Sequence, residues 1–79
     1  MEYQIFGLKK SEYKYANVEA KADMIQAMCL NDAIDKFKNK YPDYIVFGAQ
    51  GDLNDVWFNK NAEKEYKEKY GDKMNLDGR

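Results

Sequence analysis

The sequence predicts a small single-domain α+β protein: a mainly antiparallel sheet packed by two amphipathic helices, in the order β-β-α-β-β-α. That reading rests on a helical periodicity between Leu30 and Tyr41, on aromatic and β-branched runs at 2–8, 44–49 and 56–58, and on a second Lys/Glu-rich helical stretch ending at Gly71. A chain of 79 residues has room for one core and buries only about 60–65% of the surface its unfolded form exposes. Large side chains must therefore carry the burial, and 15% of the residues are Phe, Trp or Tyr. The domain is expected over 1–71, with 72–79 a flexible C-terminal tail.

The elements follow in order. Glu2-Tyr3-Gln4-Ile5-Phe6-Gly7-Leu8 reads as a first strand, and Lys9-Lys10-Ser11-Glu12 as a polar connection. From Tyr13 to Met28 the chain reads as one irregular strand, or as two broken near Lys21-Ala22-Asp23; its alanines are poor strand formers. Leu30, Ala33, Ile34, Phe37 and Tyr41 then fall on one helical face, with Asn31 or Cys29 as N-cap and Asp32 in the first turn, where the helix dipole favours an anion. Pro42 ends this helix at or before Tyr41.

Tyr44 to Ala49 is apolar without alternation, as in a central strand, and Gln50 to Asp55 is a turn by composition. Val56-Trp57-Phe58 is a short strand antiparallel to the one before it. Asn59 or Asn61 caps a second helix over 61–70, with Gly71 at its C-terminal end. The segment 33–43 weakly echoes 62–72, which two Lys-rich amphipathic helices also produce without any duplication.

The missing residue types bound the chemistry. There is no histidine, the only serine is Ser11 in a polar connection, and the only arginine is the terminal Arg79. That removes Ser-His and Cys-His nucleophile pairs, an imidazole base and a placed guanidinium for phosphate. Gly48 and Gly51 lack the partners of a phosphate-binding loop. Asp52, Asn54 and Asp55 offer oxygens in one turn, but not at the spacing of a Ca²⁺ loop, and turns favour these residues anyway. Cys29 reads as a buried, inert thiol at a strand-helix junction, with a reactive thiol at a helix N-terminus as the alternative. The expectation is a non-enzymatic protein with no catalytic residues, metal or cofactor.

Binding is the function left. The aromatics of the second half exceed what a short chain can cover, and between 41 and 59 three Asp stand with no Lys or Arg. Aromatic and acidic side chains together are the composition of a protein-binding surface, so Tyr44, Asp52, Asp55 and Trp57 are the candidate partner-binding residues. Lys9, Lys10, Tyr13, Lys14 and Tyr15 interleave charge with rings and form the alternative, a single-stranded nucleic-acid site. Self-association, as a homo- or hetero-oligomer, is the third reading.

A net charge of −1 gives no field toward nucleic acid or an anionic membrane. The N-terminus lacks a signal-peptide pattern and no apolar run approaches a membrane span, so a cytoplasmic location is expected. Lys, Asn, Asp and Tyr are abundant, as AT-rich codons dictate. With its size and missing catalytic types, this composition resembles small accessory proteins of phages and mobile elements, and implies a binder that inhibits or modulates a host protein.

Overall fold

The structure is a computed structural model that describes residues 1–11, 18–51 and 56–71. It contains β1 (Glu2–Lys10), β2 (Val18–Gln26), α1 (Leu30–Lys40), β3 (Ile45–Gln50), β4 (Val56–Phe58) and α2 (Ala62–Tyr70), in the predicted order. The strands form one antiparallel sheet in the order β2-β1-β3-β4.

Two strands differ from expectation. β1 runs on through Lys9 and Lys10, because these two pair with Glu19 and Val18 of β2 in an unbroken register. β2 is regular from Val18 to Gln26 despite Ala20 and Ala22. The β1 ladder supplies what local propensity lacks, since strand preference is largely a matter of what the strand packs beside. Of the turn predicted over 50–55, Gln50 belongs instead to β3, and 52–55 lie outside the described residues, as does the tail at 72–79.

The helices end where the sequence puts their signals. Cys29 takes the N-cap position of α1 with extended backbone, but its side chain makes no capping bond. Asp32 reaches back instead to accept from the Met28 N–H at 3.2 Å, and also pairs with Lys36 at 3.4 Å. Tyr41, preceding Pro42, leaves the helical region and donates its N–H to Phe37. In α2 the work of Asn59 and Asn61 is divided. Asn59 accepts from the Asn61 N–H at 3.0 Å and donates through Nδ2 to Val46 O at 2.8 Å and Glu65 at 2.9 Å, tying the start of α2 to β3. Gly71 closes α2 in the left-handed region at φ 73°.

The core lies between α1 and one face of the sheet. Ile5, Ile25, Ala27, Ala33, Phe37, Tyr44, Val46 and Ala49 form one buried cluster, with Tyr3, Leu30, Ile34, Tyr41 and Trp57 packed at its rim. Its centre is a close approach. A Cβ placed on Gly7 would lie 2.8 Å from Cε1 and Cζ of Phe37, so glycine is what lets the ring rest on the strand. Phe37 is fully buried, and its ring lies against that of Tyr41, tilted by 54° with the centroids 4.9 Å apart. α2 packs against β3 and β1, and Leu8, Ala62 and Tyr66 are buried outside the α1 cluster. Its C-terminal turn is tied down where Lys69 Nζ and the Tyr70 hydroxyl donate to the Pro42 and Asp43 carbonyls.

Gly7→Ala is therefore expected to cost about 1–3 kcal/mol by overpacking, read as a lower urea midpoint at unchanged slope. Placed in a Phe37→Leu background, the same change should cost less, and a double-mutant cycle would measure that coupling.

Candidate functional site

Alternation along paired strands assigns every sheet residue to one of two faces. Ile5, Gly7, Asp23, Ile25, Val46, Ala49 and Trp57 face α1. Gln4, Phe6, Leu8, Ala22, Met24, Gly48, Gln50, Val56 and Phe58 face the other way. β3 keeps both sets in step by a bulge: Phe6 pairs with Gly48 and Gly7 with Val46, leaving Phe47 as the extra residue. Its ring lies 5.8 Å from that of Phe6.

The α1 side carries a dense polar and aromatic cluster at the β2 edge. Asp23 accepts from Lys40 Nζ at 2.9 Å and from the Tyr41 hydroxyl at 2.7 Å. The Lys40 bond, then that from Tyr41, hold its carboxyl below the usual carboxylate range, and Lys40 is raised in return. Lys21 Nζ lies over the Tyr41 ring, 5.0 Å from its centroid. The Tyr44 hydroxyl donates to Glu19 at 3.1 Å, and burial followed by that bond raises the phenol. Lys9 pairs with the same Glu19 at 3.7 Å and lies 5.2 Å from the Tyr44 centroid. Each charged group here is partnered within the chain, so the cluster anchors β2 to α1 and β1.

The opposite face is the candidate site. The row Ala22–Phe6–Gly48–Phe58 crosses the sheet, with Met24–Gln4–Gln50–Val56 beside it. Phe58 is 67% exposed, Val56 54% and Met24 53%, although all three are large and apolar. Gly48 forms the floor: a Cβ there would sit 3.5 Å from Phe58 and 3.6 Å from Phe6, so both rings lean over the space its missing side chain leaves. The amides of Gln4 and Gln50 lie within the apolar field. Val56 and Phe58 are neighbours on this face, with Met24 beyond Gln4 and Gln50 on β2, and exposed apolar side chains gathered on one face mark an interaction site more often than scattered ones.

The predicted partner-binding residues divide. Tyr44 is buried, 7% exposed, in the α1 cluster, and this corrects its reading as an exposed anchor. Trp57 is half-buried on the core rim, because its pairing with Ala49 turns it toward α1. Phe58, one residue on, is the aromatic that faces out. Asp52 and Asp55 lie outside the described residues. Of the nucleic-acid set, Lys9 is engaged by Glu19 and the Tyr44 ring, Lys10 is exposed at the end of β1, and Tyr13, Lys14 and Tyr15 lie outside the described residues. Cys29 is exposed rather than buried, since the N-cap position projects from the end of α1.

The shallow hollow between α1 and α2, about 460 Å³, is lined by Lys38, Tyr44, Val46, Glu65 and Lys69 and brings no nucleophile beside a base. Among the described residues no group of three His, Cys, Asp or Glu side chains is placed to hold a metal ion, and no helix is long and apolar enough to cross a membrane. Comparison with protein-family models, with curated proteins and with solved structures gives no match.

Asp23 sets an acid dependence of known sign. Its folded carboxyl titrates below the unfolded one, so the stability it contributes is present above about pH 4 and is lost as pH falls through the folded value. Chemical denaturation between neutral pH and pH 3 should show wild type losing stability more steeply than Asp23→Asn. Parallel curves would remove Asp23 as a source of that loss.

Proposed function

We propose that this chain is a non-enzymatic protein-binding module whose docking surface is the open face of the sheet. The observation that supports it is the exposure of Phe58, Val56 and Met24 on one face, with Phe6 and Phe47 beside them and Gly48 as a floor. An apolar centre set with a few amides and bordered at one end by the Lys/Glu-rich α2 has the composition of an interface core with a polar rim. Fully burying one such side chain contributes about 1.5–3 kcal/mol, so two or three of them supply the energetic centre of a complex. The site keeps the 44–58 segment expected from sequence and exchanges Tyr44 and Trp57 for Val56 and Phe58. A partner whose activity is blocked or modulated, as the compositional resemblance implies, is one form this binding takes.

Nucleic-acid binding gains no comparable support. Lys9 is held by Glu19 and Tyr44, and the open face bears no cation among the residues that make its centre.

The two aromatics of β4 give contrasting expectations. Trp57→Ala should lower stability by about 2 kcal/mol through lost packing on the core rim. Phe58→Ala should stay within about 0.5 kcal/mol of wild type, both read from urea midpoints. A photo-crosslinking residue at 58 should capture a discrete protein in host extract, and one at Lys64 on the outer face of α2 should not. Equal labelling at both positions, or none at 58, would sink the open face as the binding surface.

A further inference from the structure

The outer edge of β2 has properties the open face does not. β2 lies at the end of the sheet order and, among the described residues, has β1 as its only neighbour. It is nine residues long, free of proline and paired with β1 without a bulge. Natural sheets usually blunt such an edge by shortening, bulging, proline or charged side chains, and of these β2 carries only the charges of Glu19, Lys21 and Asp23. β4, at the other end, is blunted by shortening: it has three residues and is followed after a short turn at 59–61 by α2.

The backbone direction along β2 is fixed by two bonds. Ala27 N–H donates to Met1 O at 2.9 Å, which makes the pair in register with Tyr3↔Ile25 a hydrogen-bonded one. Odd-numbered residues of β2 therefore turn their N–H and C=O toward β1, and even-numbered ones turn them outward. The Gln26 carbonyl agrees, since it is taken by Lys36 Nζ at 3.0 Å and not by the ladder. Val18, Ala20, Ala22 and Met24 thus present their backbone groups to the free edge.

We propose that β2 pairs antiparallel with β2 of a second copy of this chain, about a two-fold axis through Ala22, joining two sheets into one of eight strands. Ala22 is the midpoint of Val18–Gln26, so this axis pairs the whole strand with itself. The outward groups of Ala20, Ala22 and Met24 then meet those of Met24, Ala22 and Ala20 of the second copy. On the α1 side Lys21 stands opposite the second copy's Asp23, and Asp23 opposite its Lys21. These fall at the non-hydrogen-bonded positions, where side chains are closest and opposite charges stabilise. The flanking registers lose this match. An axis through Lys21 sets lysine against lysine and Glu19 against Asp23, and one through Asp23 sets aspartate against aspartate. On the other face Ala20, Ala22 and Met24 of both copies lie together and join the two open faces into one.

Sedimentation of the full chain across the micromolar to millimolar range tests this. Wild type should form a reversible dimer. Lys21→Asp and Asp23→Lys each place like charges at both cross-strand pairs and should raise the dissociation constant about tenfold. Their equimolar mixture restores opposite charges and should recover the dimer as a heterodimer. Because Asp23→Lys also removes the bond to Lys40, Ala22→Pro is the second variant. It deletes an outward N–H that β1 does not use, which an edge strand tolerates, and should give a folded monomer by circular dichroism. A wild-type monomer at every concentration overturns the proposal. So does a dimer that survives Ala22→Pro, or one that Phe58→Ser abolishes while Ala22→Pro does not, which would move the contact to the open face.

Discussion

The ring of Phe37 resting on Gly7 is the contact on which the other features depend. It sets α1 against the centre of the sheet at Gly7, where the missing side chain lets the ring come close to the strand. Once that face is inside, period-two alternation, reset once by the bulge at Phe47, fixes its neighbours: Ile5, Val46 and Ala49 follow it in, and Phe6, Gly48 and Phe58 are left out. A chain this small has one helix for this duty, and α2 is committed to β3 and β1 at the other end, where Leu8 and Tyr66 are buried. Among the described residues, the exposed apolar face is thus a product of a four-stranded sheet with helix over one side and part of the other.

The polar cluster at the β2 edge solves a second problem created by the same layout. β2 brings Glu19, Lys21 and Asp23 to the α1 side, where unpartnered charges would oppose packing. Tyr41, Tyr44 and Lys40 meet them with hydroxyls, ring faces and an ammonium, all from the end of α1 and the turn that follows it. Pro42 is what releases the chain from the helix at this point, so a single backbone constraint places two tyrosines where the strand needs donors. These pairs are partly exposed, and their worth lies more in fixing where β2 sits than in net stability.

The fold was legible where local signals are strong. The spacing from Leu30 to Tyr41, the stop at Pro42 and the left-handed Gly71 each act within a few residues, and each appears in place. β2 was not legible, because alanines and charges become a strand only through the β1 ladder. β1 was cut short for the same reason, since Lys9 and Lys10 look like a loop until Glu19 and Val18 stand opposite. The candidate site was half legible. An excess of aromatics could be counted from sequence, but a three-residue strand carries too little pattern to fix its parity. Pairing with Ala49 turns Trp57 inward and pairing with Gly48 turns Phe58 outward, and neither partner is near in sequence. Tyr44 was misread because its polar end finds Glu19 across 25 positions. A glycine inside a strand marks a close approach, and Gly48 stands where Phe58 and Phe6 come together.

The bulge in β3 gives Phe47 an unusual standing. Val46 and Gly48 pair with adjacent residues of β1, so a chain lacking position 47 would still carry Val46 inward and Gly48 outward in the β1 register. Its carbonyl accepts from the Asn59 N–H, a bond that the neighbouring Val46 carbonyl, already in contact with the Asn59 side chain, stands beside. The side chain at position 47 thus stands apart from the inward register of β3 and lies with Phe6 on the exterior. The side chain at this point can therefore vary the outer surface without changing which residues of β3 face the core, a freedom that ordinary strands, with their fixed parity, do not have.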